Sequence, residues 1–270
     1  MKSFGRMSGQ WLLSIFCLSL TLFDIRAAVP EDKASFHLFL LVGQSNMAGR
    51  GELDELARTP HPRVLSLAKD GTWVPAVDPL HFDKPRIAGV GPGRAFAEAL
   101  VADQPDVTIG LIPCAVGGSP ISTWLPGAYY TATKSHPWDD AIKRAKKAME
   151  VGVLKGILWH QGESDSKPGL SDTYEKSLHD LVARFRVELN APNVPFVVGQ
   201  MGVFAERPWT AEKHRVDQAH RDLPGRVPHS AFVDASSLEH KGDEVHFSTQ
   251  SARILGRRYY EAWKTLSSQR

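Results

Sequence analysis

Apolar residues along this chain fall into two patterns. Short unbroken runs occur at His37 to Val42 (HLFLLV), Val107 to Pro113 (VTIGLIP), Leu154 to Trp159, Pro195 to Gln200 (PFVVGQ) and Ala231 to Val233. A strand covered on both faces needs such a run, because neither side is free to be polar. Between the runs, apolar positions recur every three to four residues, which predicts helices over 92–102, 138–149, 171–189, 210–223 and 248–263. Segment 171–189 is the most regular: Tyr174, Leu178, Leu181, Val182, Phe185 and Leu189 share one face. Asp172 with Glu175 is a candidate capping box for it, Pro92 suits the first turn of its helix, and Ser248 is a candidate N-cap. Residues 50–92 are rich in Pro, Gly and Asp and predict loops with one short hairpin around Val64–Val74. Strands alternating with helices predict an α/β domain with a mostly parallel, five-stranded sheet between helical layers. In such a sheet the ligand site lies beyond the carboxyl ends of the strands.

The N-terminus departs from this pattern. Lys2 and Arg6 precede an apolar stretch, Trp11 to Phe23, and Ile25-Arg26-Ala27 offers a cleavage site before Ala28. Residues 1–27 therefore read as a secretory signal and 28–270 as a single domain. The apolar stretch is shorter than the roughly 20 residues a membrane-crossing helix needs; an uncleaved anchor is the alternative. Losing residues 1–27 removes Lys2, Arg6, Arg26 and Asp24, which takes the net charge from +2 to zero. A neutral domain argues against nucleic acid as a partner, since polyanion binders need a basic face. Of the two cysteines, Cys17 leaves with the signal, so Cys114 has no intrachain partner and reads as a small buried residue.

Four polar segments adjoin the expected strand ends or the last helix: Gly43-Gln44-Ser45-Asn46, Ala115-Val116-Gly117-Gly118-Ser119, His160-Gln161-Gly162-Glu163-Ser164 and Asp243-Glu244-Val245-His246. Strands of a parallel sheet share one carboxyl edge, so these segments can converge. Ser45 is the candidate nucleophile. A serine hydroxyl needs a nearby base, and a helix starting near Asn46 turns the Ser45 N–H outward toward an oxyanion. Taken alone, Gly43-Gln44-Ser45-Asn46 reads as a turn whose serine has no role. His246 is the candidate base, with Asp243 three residues earlier to fix its tautomer; the bland alternative is a histidine beside a helix cap. Gly117 and Gly118 offer unshielded N–H groups and Gln161 an amide donor. Glu163 is either a support for these loops or the acid behind His246. Trp124 is a candidate substrate wall, although most tryptophans are core.

His240, Asp243 and His246 also form a string that zinc accepts, but no cysteine pair or His-Glu-x-x-His accompanies it. No Gly-x-Gly-x-x-Gly or phosphate loop follows a strand. Neither a metal nor a cofactor is expected.

Together the strings LVGQSNMAGRG (41–51), AVGGSPISTW (115–124), LWHQGESDS (158–166) and DEVHFS (243–248) resemble the sialate O-acetylesterase and acetylxylan esterase group of carbohydrate esterases, members of the SGNH-type hydrolases. The resemblance spans nearly the whole domain. It implies a three-layer, flavodoxin-like fold and removal of acetyl groups from acetylated carbohydrate. Carried over by motif, Ser45 is the nucleophile, Asp243 and His246 complete the triad, and the Ser45 and Gly118 N–H groups with the Gln161 amide form the oxyanion hole. Some members assign the acid to the glutamate of Gln-Gly-Glu, which keeps Glu163 open. Gln44 and Gln161 stand where the wider superfamily has aspartate and asparagine. Two other readings remain at this point: a carbohydrate-binding protein with a dead site, and a lipase- or thioesterase-like SGNH hydrolase.

Overall fold

The computed structural model describes Met1 and residues 27–268. Residues 2–26 of the expected export signal lie outside them. Strand β1 (Phe36–Gly43) is followed by the one-turn helices α1 (Ser45–Ala48) and α2 (Glu55–Arg58), then by β2 (Val64–Leu67), β3 (Trp73–Pro75), helix α3 (Pro92–Asp103) and β4 (Thr108–Pro113). The second half runs α4 (Pro137–Ala148), β5 (Val153–His160), α5 (Tyr174–Glu188), β6 (Phe196–Gly199), α6 (Ala211–Arg226), β7 (Ser230–Val233) and α7 (Thr249–Ser267).

The seven strands form one sheet in the order β3-β2-β4-β1-β5-β6-β7, parallel except for the β2–β3 pair. The five expected strands are all present. The two further ones are the hairpin expected near residues 64–74. Gly71 makes its turn with φ of +87°, and β2 pairs in parallel with β4, so the hairpin widens the sheet instead of standing apart.

Side chains of β1 alternate between two cores, as the two-residue strand period demands. Phe36, Leu38, Leu40 and Val42 pack with Trp138 of α4, Phe185 of α5 and Val216 of α6. Phe39 and Leu41 pack on the opposite face with Phe96 of α3 and Trp263 of α7. Phe39 meets the Phe96 ring edge-on at 4.7 Å and the Trp263 ring at 5.3 Å. Each such fully buried side chain stabilises the fold by about 1.5–3 kcal/mol. The two cores fix the sheet between helical layers, giving the three-layer α/β/α arrangement.

Caps followed the sequence in part. Ser248 caps α7 by accepting from the Ser251 N–H, but Asp172 and Glu175 do not form a capping box. Asp172 pairs with Arg215 at 2.7 Å and Glu175 with Arg226, both cations arriving from α6. These tertiary partners outcompete the local backbone donors. Cys114 is buried and its thiol is pushed up to about 11 by burial, as fits an inert core residue.

The chain leaves β1 toward β4 on one side and later returns to β5 on the other. A crevice forms at the carboxyl end of a central strand where connections diverge in this way. Ser45 follows that strand directly.

Candidate active site

Gly43 makes the exit from β1 possible. Its φ is +118°, and a Cβ there would lie 2.1 Å from the His160 carbonyl oxygen. The neighbouring loops clamp this point: the Gln44 N–H donates to His160 O at 2.8 Å and the Val116 N–H to Gly43 O at 2.9 Å. The chain then turns at once into α1, whose first residue is Ser45. The Gln44 side chain is buried, and its Oε1 has no hydrogen-bond partner.

From the other side of the site, the segment before α7 delivers His246. Its Nε2 lies 3.0 Å from Ser45 Oγ, and its Nδ1 lies 2.7 Å from Asp243 Oδ2. Asp243 also accepts the N–H groups of Val245 and His246 on its other oxygen, at 3.1 and 2.8 Å. Burial opposes ionisation of Asp243, but the His246 N–H, the imidazole and the Val245 N–H outweigh it and hold the carboxyl at about 2. An ionised carboxylate thus faces Nδ1 and favours the tautomer whose Nε2 accepts from Ser45 Oγ.

Asn46 joins three segments. Its Nδ2 donates to Glu163 Oε1 at 2.9 Å and to Val245 O at 3.1 Å, and its Oδ1 accepts the Phe247 N–H at 3.2 Å. Glu163 therefore holds Asn46 and makes no hydrogen bond to His246; its Oε2 is buried without a partner. Asn46→Ala is expected to leave the Glu163 carboxylate and the His246 segment untied. It should lower acetyl ester hydrolysis by about 10–100-fold and stability by about 1–3 kcal/mol, read from kinetics and urea unfolding.

The glycine pair divides its roles. The Gly117 N–H donates to Asp83 Oδ2 at 2.8 Å, and the same oxygen accepts from Arg50 at 2.8 Å. That ion pair is nearly sealed from solvent, and breaking such a pair costs about 3–5 kcal/mol. Gly118 has φ of +82°, and its N–H has no protein acceptor among the described residues. Of the pair, Gly118 alone keeps a free N–H for a ligand, and the Ser45 N–H at the start of α1 likewise has no acceptor among the described residues.

Two side chains sit differently from the sequence expectation. Trp124 is fully buried, stacked edge-on against Trp159 at 5.2 Å, with its Nε1 donating to Ser119 Oγ at 3.1 Å. It supports the glycine loop from below and is no substrate wall. Gln161 is also fully buried. Its amide nitrogen donates to Ser119 O and Asp165, and its Oε1 accepts from Tyr174 at 2.8 Å. As placed, the amide braces the glycine loop and does not point at an oxyanion.

The brace continues through residues the sequence did not single out. Asp165 accepts the Ile121 N–H at 2.8 Å, and Ser164 Oγ donates to Gly118 O at 2.9 Å. Burial raises the Asp165 carboxyl. His160 and His220 are also buried, which pushes them down to about 4 and 3, so both are neutral near pH 7. The Asp165 and Ser164 signal lay within the quoted string 158–166. Asp83 and Arg50 fall in or beside the irregular stretch 50–92, where no spacing marks them.

His240 does not join Asp243 and His246 in a ligand set. Its Nδ1 accepts the Gly242 N–H at 2.9 Å, and its Nε2 lies 3.5 Å from Glu206. Among the described residues no group of three or more His, Cys, Asp or Glu is arranged to hold a metal ion.

A base hydrogen-bonded to a hydroxyl, with two free N–H groups nearby, is an arrangement suited to acyl transfer. The family described as carbohydrate esterase, sialic acid-specific acetylesterase, matches residues 35–265. The chain belongs to that family. It is a carbohydrate O-acetylesterase, a carboxylic ester hydrolase acting on acetylated carbohydrate. This esterase is 30% identical to a probable carbohydrate esterase of Arabidopsis thaliana, over 86% of this chain and 90% of that one. The X-ray structure of that Arabidopsis protein superimposes with a TM-score of 0.75, covering 85% of this esterase and 98% of the plant protein. A probable 9-O-acetyl-N-acetylneuraminic acid deacetylase of Escherichia coli is 22% identical over 64% of this chain and 65% of its own length. A carbohydrate acetylesterase of Xanthomonas citri shares the fold at 18% identity and a TM-score of 0.68, over 86% of this esterase and 57% of that chain.

Proposed function

We propose that this esterase works through a Ser45–His246–Asp243 triad and an acetyl-serine intermediate. The observation that carries the proposal is the unbroken relay from Asp243 Oδ2 through both imidazole nitrogens to Ser45 Oγ, with contacts of 2.7 and 3.0 Å. His246 Nε2 takes the hydroxyl proton as Ser45 Oγ bonds to the acetyl carbonyl carbon. The carbonyl oxygen becomes an oxyanion, which the N–H groups of Ser45 and Gly118 receive. The imidazolium then gives its proton to the departing sugar oxygen, leaving acetyl-Ser45. Water, deprotonated by His246, attacks the acetyl group; acetate departs and Ser45 Oγ regains its proton. Asp243 stays ionised throughout and stabilises the imidazolium.

The sugar has a natural berth beside this relay. A cavity of about 310 Å³ is lined by Glu163, Ser166, Arg207, Lys213, Glu244 and Val245. Its two cations and two carboxylates balance, which suits a polar ligand. The description of the family and the name of the E. coli relative favour O-acetylated sialic acid as the sugar, ahead of acetylxylan. The N-terminal pattern, Lys2 and Arg6 before Trp11–Phe23, supports export to the periplasm or the medium. No helix among the described residues is long and apolar enough to cross a membrane.

Acetate release from a panel of acetylated glycans, with Ser45→Ala as control, tests this reading. Turnover of at least one acetylated sugar is expected from the wild type and none from the variant. Glycan binding without turnover would assign the chain to a binding role, and a preference rising with acyl length would assign it to lipase-like chemistry.

A further inference from the structure

A second cavity, of about 340 Å³, lies against the carboxyl end of β4, and no member of the proposed triad lines it. Cys114 and Val116 border it, with Lys69 from the β2–β3 turn, Lys134 from the loop before α4, and Arg144 from α4. Its charge balance differs from that of the cavity beside the triad. The lining holds two carboxylates, Asp83 and Asp140, and Asp83 is neutralised by Arg50 at 2.8 Å. Lys69 and Lys134 pair with no carboxylate among the described residues. Arg144 donates to Leu67 O at 2.6 Å and Ala68 O at 3.0 Å and lies over the Phe82 ring at 4.8 Å, so its charge is fixed in place; it makes no ion pair among the described residues, and Asp140 is the carboxylate of the lining that remains beside the three cations.

The cavity also holds an unsatisfied buried polar group. His81 lines it, is 4% exposed, and its Nε2 has no hydrogen-bond partner. Buried polar atoms without partners are rare, because leaving one unpaired costs about 1–3 kcal/mol. Desolvation holds this imidazole down to about 4, so near neutrality it offers hydrogen bonding without charge. The Thr133 and Ser135 hydroxyls, 2.8 Å apart, add polar groups to the lining. Uncompensated cations beside hydroxyls, a neutral imidazole and an apolar floor are the complement of a small polyhydroxy anion.

We propose that this cavity is a second ligand site, which takes the carboxylate of a sugar acid between Lys69 and Lys134. A uronic acid unit elsewhere on an acetylated glycan supplies such a group. Free acetate, the product of the reaction, carries the same chemistry. The cavity reaches Asp83, which holds the Gly117 N–H next to Gly118, so an occupant sits one residue from a proposed oxyanion donor. The proposal does not depend on the identity of the nucleophile.

The test is calorimetric titration of the wild type and a Lys69→Met/Lys134→Met variant with glucuronate, with its uncharged methyl ester and with acetate. Glucuronate should bind the wild type and bind the variant at least about tenfold more weakly, and the ester should be at least about tenfold weaker on the wild type. Hydrolysis of p-nitrophenyl acetate by the variant should match the wild type, which also reports that it folds. Acetate binding as tightly as glucuronate would assign the site to the released product, and weaker binding would assign it to sugar acids; either supports a carboxylate site. Equal glucuronate affinity in the two proteins, equal affinity for acid and ester, or no binding by any carboxylate would overturn it.

Discussion

Ser45→Ala is expected to lower hydrolysis of p-nitrophenyl acetate by about 10⁴-fold or more while leaving thermal unfolding within a few degrees of the wild type. The hydroxyl is the only atom removed, and its hydrogen bond runs to the partly exposed His246 and to no core group. Ser45 opens α1 without capping it, since the Ser45 side chain bonds no backbone N–H. Stability therefore has little to lose. Catalysis has everything to lose, because no other hydroxyl among the described residues is hydrogen-bonded to His246. Any residual rate would come from water attacking a carbonyl polarised by the Ser45 and Gly118 N–H groups. Undiminished turnover with an intact fold would remove Ser45 from the mechanism.

The second large effect separates the two acids. Asp243→Asn should lower kcat about 10⁴-fold, whereas Glu163→Gln should cost no more than about tenfold on the same small ester. An asparagine that turns its amide toward Nδ1 stabilises the tautomer with its proton on Nε2, which cannot accept from Ser45. It also cannot balance an imidazolium. Glu163 touches Asn46 instead, and a glutamine there keeps an oxygen for the Asn46 Nδ2 bond. Its effect should be larger on a sugar ester than on p-nitrophenyl acetate, since Glu163 lines the cavity assigned to the sugar. A severe loss for Glu163→Gln with a mild one for Asp243→Asn would assign the acid to Glu163.

The strands and the Asp243–His246 contact were legible for the same reason: both rest on short-range order. The run from His37 to Val42 could only be a strand covered on two faces, and Asp243 could reach His246 because three residues separate them. Convergence of Ser45 with His246, 201 residues apart, followed from the shared carboxyl edge of parallel strands. What the sequence hid was the direction of side chains whose partners are distant. Gln161 has the composition of an oxyanion donor, yet Asp165 and Tyr174 hold it beneath the glycine loop. Trp124, expected in a loop, ends a short 3-10 turn and fills the core against Trp159. Asp83 comes from a stretch without periodicity and still decides which glycine N–H remains free. Asp172 and Glu175 had the spacing of a capping box and found arginines of α6 instead. In each case a tertiary contact overrode a local reading.

The central claim is that Ser45 carries the acyl group, with His246 and Asp243 making it nucleophilic. A fluorophosphonate that reacts only with activated serines tests this most directly, with peptide mass spectrometry to locate the adduct and residual activity to count it. One adduct per chain on the peptide containing Ser45, growing in step with loss of acetylesterase activity and slowed at least about 10³-fold in Asp243→Asn, is the predicted result. Complete inactivation with the adduct on another residue, or full labelling of Ser45 with activity retained, would contradict the account.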